Sequence, residues 1–276
     1  MSVQKRIVVC IGTGGMGLAA VRRTGLGATV VLADFDEVAL QAAADRLRGE
    51  GFDVVVHLVD VAQAKSVHRL ATDAAALGPV STVIHTAGLS PVQASVDAIL
   101  TVDLLGTALV LDAFGAVIAP GGSGVFIASM AGHLARLTPE LEVKLAMTPT
   151  AELLRLAELE VSGITDSGAA YSLSKRANAV RVCAASVAWG ERGARVNSIS
   201  PGIISTPMGA QELAGPNGEQ MRGMIAGSAT GRIGTPADIA AAVAFLTGPD
   251  STFITGTDLL VDGGVIASLT TRTQSA

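Results

Sequence analysis

Short, almost unbroken apolar runs alternate along the chain with longer segments rich in alanine and leucine. The runs "RIVVCIG", "ATVVLADF", "FDVVVHLVD", "VSTVIHTAG", "GVFIASMAG", "ARVNSISPG" and "TDLLVDGG" are crowded with β-branched residues and show little polar alternation. That is the pattern of parallel strands covered on both faces. Between them "DEVALQAAADRLRGE" and "AQAKSVHRLATDAAALG" have helical spacing, and a long helix is predicted from Ala169 to Gly190. Strand and helix alternating in this way predict an α/β fold, a doubly wound parallel sheet of seven strands in a Rossmann domain spanning residues 1–264. Residues 265–276, ending "TTRTQSA", read as a loose polar tail.

One segment breaks the rhythm. Residues 133–168, "HLARLTPELEVKLAMTPTAELLRLAELEVSGITDSG", are far longer than a strand-to-helix connection needs. Thr138-Pro139 and Thr148-Pro149 each offer an N-cap followed by a proline suited to a first helical turn. Leu141 with Leu145, then Leu153 with Leu156 and Ala157, lie at helical spacing. The segment is predicted to be a helical insertion, serving as a lid, a substrate wall or an interface.

Composition narrows the function classes. The 276 residues are 49% hydrophobic and 16% charged, with a net charge of −5 and no basic cluster. This argues against nucleic acid or an anionic membrane as a partner and favours self-association. Lys5 and Arg6 precede an apolar run, but five glycines between Gly12 and Gly25 interrupt it, so no signal peptide and no span of membrane length is expected. A cytoplasmic location follows as the expectation. Cys10 and Cys183 sit in apolar runs without metal-ligand spacing and are expected to be buried thiols; no metal site is signalled.

Two places carry candidate chemistry. In "VVCIGTGGMGLAAV" a strand runs into Gly12, Gly14, Gly15, Met16 and Gly17 and then into a helix. Glycines there permit a tight turn and close approach of a pyrophosphate to a positive helix N-terminus. Asp34, at the end of the next strand, suits the two ribose hydroxyls of NAD and repels a 2′-phosphate. The alternatives are a plain tight turn and a helix N-cap. Asp60 with Val61, and Ala87 with Gly88, end two further strands, where open α/β sheets bind ligands. Second, Tyr171, the only tyrosine, and Lys175 stand at i and i+4 on a predicted helix, so the ammonium can favour the phenolate of its neighbour.

The glycine turn, Asp34, Asp60-Val61, Ala87-Gly88, Ser129 in "IASMAG", "YSLSK", "RVNSISPG" and "LVDGG" occur in the order found in short-chain dehydrogenases/reductases. The chain resembles that family from about residue 5 to 265. With its long insertion before the tyrosine it is most similar to the 3α-hydroxysteroid dehydrogenase/carbonyl reductase subgroup. The resemblance implies hydride transfer between nicotinamide C4 and a secondary alcohol or ketone, without metal. It implies Tyr171 as acid/base and Lys175 as its tuner and a ribose ligand, with Ser129 bonded to the substrate oxygen. Pro201, Gly202, the Ile204 backbone and Thr206 would surround the nicotinamide, and a homodimer or homotetramer would be the assembly.

Three departures stand out. Either Ile11 occupies the first glycine's place, or the loop is one residue shorter and Gly12 takes it. His85-Thr86-Ala87-Gly88 replaces "NNAG". Asp103 stands in "VDLLGT" where the family usually has asparagine; its carboxylate would favour a charged Lys175 yet oppose ionisation of Tyr171. Activity with a shifted pH optimum is expected, the rival being an NAD-binding protein with little catalysis. Leu89, Met130, Leu134, Met147, Ile203, Met208, Met221 and Met224 suggest a hydrophobic alcohol or ketone, with a mobile substrate loop between Thr206 and Arg232.

Overall fold

All seven apolar runs become strands: β1 (Ile7–Ile11), β2 (Thr29–Asp34), β3 (Asp53–Leu58), β4 (Val80–His85), β5 (Ile118–Ile127), β6 (Arg195–Pro201) and β7 (Asp258–Val261). In a computed structural model describing residues 5–92 and 94–274, they form one sheet in the order β3-β2-β1-β4-β5-β6-β7. Every pairing is parallel. The connections carry α1 (Gly15–Thr24), α2 (Glu37–Gly49), α3 (Ala64–Leu77), α4 (Val96–Ile99), α5 (Thr107–Gly115), α6 (Met130–Leu134), α7 (Pro139–Met147), α8 (Ser167–Glu191), α9 (Pro207–Ala214), α10 (Gly218–Gly227), α11 (Pro236–Thr247) and α12 (Val265–Gln274).

The strand order reverses between β1 and β4, and the loops that leave β1, β4, β5 and β6 meet beyond their C-terminal ends. In open parallel sheets this switch point is where a crevice forms. Ile7, Ile11, Phe114, Phe126 and Trp189 fill one side of the sheet; Leu32, Leu40, Leu47, Ile239 and Val243 fill the other. The edge strand β3 departs from the expected two-sided burial, because with no strand beyond it Val55 and Leu58 stay exposed.

The insertion builds a third apolar cluster. Leu141, Leu145, Leu153, Leu156 and Leu159 pack onto Leu100, Leu104, Ala108 and Ala177. Thr138 caps α7 by accepting the Leu141 N–H (3.2 Å), with Pro139 in the first turn. The second Thr-Pro pair does not start an α-helix. Thr148 ends α7, and after Pro149 the chain makes 3-10 turns at Thr150–Arg155, Ala157–Leu159 and Val161–Gly163. Buried Arg181 accounts for this stop, since its guanidinium donates to the carbonyls of Leu145 and Thr148 and to Thr150 Oγ1. Arg176 adds a two-pronged bond to Glu142 (2.6 and 2.9 Å).

Three other expectations are corrected. Cys10 is buried, but Cys183 is exposed, because it faces outward from α8. The described part of the expected loose tail is ordered: Val265–Gln274 is helical, with Val265 buried and Ser268 Oγ donating to the Gly227 carbonyl (2.6 Å). One stretch does reach membrane-spanning length: Val96–Gly115 has a mean hydropathy of 1.7, yet 61% of it is buried inside the protein, the signature of a core helix.

Candidate active site

The glycine turn has a definite geometry. β1 ends at Ile11, and Gly12 turns the chain with φ +98°, a conformation that favours glycine. A Cβ on Gly12 would stand 2.6 Å from the Ala87 nitrogen, and one on Gly17 only 2.3 Å from the Gly12 carbonyl oxygen. Gly14 caps α1 with nothing within 4 Å of its Cβ position. Gly12 therefore takes the first glycine's place and Ile11 does not; Gly14 leaves room at the helix N-terminus, and Gly17 brings helix against strand. The first turn of α1 has neither an acidic residue nor a side-chain cap, so its N–H groups suit a diphosphate.

Asp34 is not the cap of α2; Asp36 has that role, accepting from Val38 and Ala39 N–H. The Asp34 carboxylate instead accepts from Thr13 N–H and Thr13 Oγ1, both at 2.7 Å, which ties the end of β2 to the glycine turn. Asp60 Oδ1 accepts from Ala62 N–H (2.9 Å). Val61 is buried beneath Gly106, where a Cβ would meet Val61 Cγ2 at 2.9 Å. Ala87 N–H donates to the Ile11 carbonyl. The open Gly14 position, the uncapped helix and the acid at the end of β2 fit a dinucleotide cofactor.

The chemical end is assembled by β5 and α8. Ser129 begins α6, its Oγ accepting from Ala131 N–H (3.2 Å), which leaves the hydroxyl proton to point elsewhere. Tyr171 and Lys175 lie on one face of α8, with the ammonium 5.3 Å from the centre of the phenol ring. Behind them the helix through α4 and α5 widens into a π-helical segment over Leu100–Gly106. Such segments often accompany functional sites. Asp103 lies in this segment without exposed surface, its Oδ2 3.1 Å from Lys175 Nζ and its Oδ1 accepting from Leu89 N–H (2.7 Å). Its backbone carbonyl takes bonds from Thr107 Oγ1 (2.7 Å) and Asn178 Nδ2 (2.9 Å).

These surroundings set the charges. Burial works against the Lys175 ammonium, but the Asp103 carboxylate and the phenol oxygen of Tyr171 more than offset it, so the lysine is held above its ordinary value. Burial also raises the carboxyl of Asp103 against the pull of Lys175 and of the Leu89 N–H. Tyr171 is held above the ordinary phenol value: enclosure raises it most, Lys175 opposes, Asp103 adds to the rise, a hydrogen bond with Ser129 opposes, and Glu212 adds further. His85, beneath this group, is pushed down to about 3 by burial and by Lys175. It is therefore a neutral core residue with Nε2 3.2 Å from Thr107 Oγ1.

Ser129, Tyr171, Lys175, Met16, Gly88, Pro201, Gly202, Ile204 and Thr206 line one cleft of about 300 Å³. Asp103 lies just behind it. Asp34, Asp60 and Val61 lie outside it at the ends of β2 and β3, as two ends of one extended ligand would require. Thr206 Oγ1 caps α9 by accepting from Gly209 N–H (3.1 Å). Leu89, Met130, Ile203, Met208, Met221 and Met224 are walls as expected, whereas Leu134 and Met147 are not, being 42% and 69% exposed elsewhere. The segment after Thr206 is helical, as α9 and α10. Of the insertion only Gly168, in the first turn of α8, lines the cleft; the insertion's leucine cluster packs instead on α5, α8 and the π-helical segment. Thr13, Ser90 and Glu212 were missed; only Thr13 had a signal, its place inside the glycine turn.

Comparison with known proteins agrees with this geometry. Residues 5–138 match the family model "short chain dehydrogenase", and residues 133–266 match "Enoyl-(Acyl carrier protein) reductase". A short-chain dehydrogenase/reductase of Alternaria brassicicola is 41% identical over 97% of this chain and 98% of its own length. Meso-2,3-butanediol dehydrogenase of Serratia marcescens is 31% identical, covering 97% of both chains. The 3-alpha-hydroxysteroid dehydrogenase/carbonyl reductase of Comamonas testosteroni is 31% identical over 67% of this chain and 72% of its own. Among solved structures, a dehydrogenase/reductase of Sinorhizobium meliloti superposes with a TM-score of 0.74 at 26% identity, covering 96% of both. Architecture, site order and relatives converge on one conclusion: the chain belongs to the short-chain dehydrogenase/reductase family and is a nicotinamide-dependent oxidoreductase.

Proposed function

We propose that the protein is an NAD-dependent dehydrogenase/reductase interconverting a secondary alcohol and its ketone, on a substrate with an apolar skeleton. The observation that carries this reading is the convergence of Ser129, Tyr171 and Lys175 on one cleft, with Lys175 kept charged by Asp103. A dinucleotide held by its diphosphate at the glycine turn would supply or accept the hydride through its nicotinamide. The protein's own residues do the rest. Ser129, whose oxygen is held by Ala131 N–H, turns its O–H toward the substrate oxygen and steadies negative charge there. Tyr171 exchanges a proton with the same oxygen at its phenol Oη. Lys175 favours the phenolate once that proton leaves. The methionines and leucine of the wall exclude water.

NAD rather than NADP is supported by Asp34, followed by Phe35, Asp36 and Glu37 with no basic residue to receive a 2′-phosphate. Relatives named for threitol and meso-2,3-butanediol support the alcohol chemistry. We also propose a homodimer or homotetramer that assembles away from the outer face of α5 and α8, which the insertion covers.

The test is a screen of secondary alcohols with NAD and with NADP, following absorbance of the reduced nicotinamide. Turnover with NAD, lost in Tyr171→Phe, is expected. Binding of NAD without turnover of any alcohol or ketone, or a fully active Tyr171→Phe, would overturn the reading.

A further inference from the structure

The cleft is not apolar throughout. Helix α9 sets Glu212 on its wall, and the stretch into α10 adds Asn217 and Gln220. Ser90, fully buried behind the wall, donates to Glu212 Oε1 (2.6 Å) and so anchors the carboxylate from the rear. Among the described residues no Lys, Arg or His forms an ion pair with Glu212. Its charge also reaches the reacting centre, where it disfavours ionisation of Tyr171.

A carboxylate only accepts, and Ser90 fills one of its roughly four acceptor positions. A hydrocarbon pressed against it would remove its water and return nothing, at real cost. The two amides nearby both donate and accept, which suits a neutral hydroxyl better than an ammonium. Resting on the alcohol/ketone reading of this cleft, we infer that Glu212 is a specificity-determining residue that accepts a hydrogen bond from a second hydroxyl of the substrate. The preferred substrates are diols, or the matching hydroxyketones, on an apolar skeleton.

Binding to the enzyme–NADH complex tests this without turnover, because alcohol and NADH do not react together. 1-Phenylethanol and 1-phenyl-1,2-ethanediol are titrated separately, with NADH fluorescence as the signal. The diol is expected to bind about 10–100-fold tighter, the worth of a hydrogen bond to a charged group. That ratio should collapse in Glu212→Leu and shrink in the near-isosteric Glu212→Gln, each variant being read against its own mono-alcohol. Equal binding of the two ligands by the wild type, or an unchanged ratio in both variants, overturns the inference. A clear diol preference in a protein that oxidises neither alcohol would support it while sinking the dehydrogenase reading, so the two failures are distinguishable.

Discussion

Replacing His85 with asparagine should flatten the acid side of the stability profile. His85 is 1% exposed, packs against Phe126 with ring centres 5.5 Å apart, and lies close enough to feel the charge of Lys175. Burial, with that charge, holds it down at about 3 against an ordinary 6.5. Above pH 6.5 both folded and unfolded chains carry it neutral, and it contributes its full share of stability. As pH falls below 6.5 the unfolded chain binds a proton that the folded one refuses until about pH 3, so that share is lost across this window. At pH 5 the loss is about 2 kcal/mol, from about 1.4 kcal/mol per pH unit. With about 2.1 cal/mol/K of unfolding entropy per residue, this corresponds to a drop in Tm of roughly 3–4 °C. The assay is urea or thermal unfolding of wild type and His85→Asn at pH 7 and pH 5. Any cavity created by the smaller side chain acts at both pH values and cancels in the difference. Wild type should lose about 2 kcal/mol more than the variant between the two pH values. Equal losses would mean that His85 is free to protonate in the folded chain, and the reasoning fails.

Two further outcomes follow from the site. Asp103→Asn replaces a carboxylate that serves Leu89 N–H on one oxygen and Lys175 on the other with an amide that has one acceptor. It should cost about 1–3 kcal/mol, or roughly 2–5 °C in Tm, and move the acid limb of alcohol oxidation to lower pH as its opposition to Tyr171 ionisation disappears. A stabilised variant, or a limb displaced upward, would contradict this. Gly17→Ala drives a Cβ into the Gly12 carbonyl and should weaken NADH binding, read by fluorescence titration, by about tenfold or more while the circular dichroism spectrum is kept; an unchanged Kd would show that the turn yields freely.

The inner strands β1, β2 and β4 were legible because they are dense in β-branched and apolar residues, and burial on both faces leaves little room for polar alternation. The glycine turn was only half legible. Its composition announced a nucleotide site, but the choice between Ile11 and Gly12 depends on a backbone angle that residue types alone leave open. The insertion showed its helices through Thr138-Pro139 and its leucine spacing, yet not where they dock. That depends on Arg176 and Arg181 of α8, whose partners, Glu142 and the end of α7, only the fold brings beside them. Glu212 was invisible for a similar reason: it lies 122 residues from Ser90, and no local spacing relates them.

Asp103 bears on direction as well as rate. Asp103 keeps Lys175 protonated but also offsets the field that the ammonium presents to the phenol. Enclosure, Asp103 and Glu212 together outweigh Lys175 and Ser129, so Tyr171 rests as a neutral phenol over a wide pH range. A neutral phenol is already in the form needed to donate a proton to a developing alkoxide, whereas alcohol oxidation needs it ionised first. On the proposed alcohol/ketone chemistry, ketone reduction is therefore expected to be favoured over alcohol oxidation at neutral pH, and oxidation should improve steadily toward alkaline pH. Profiles of kcat/KM against pH in the two directions decide the point. An oxidation optimum at or below that of reduction would mean that Lys175 controls the phenol after all, with Asp103 as a bystander.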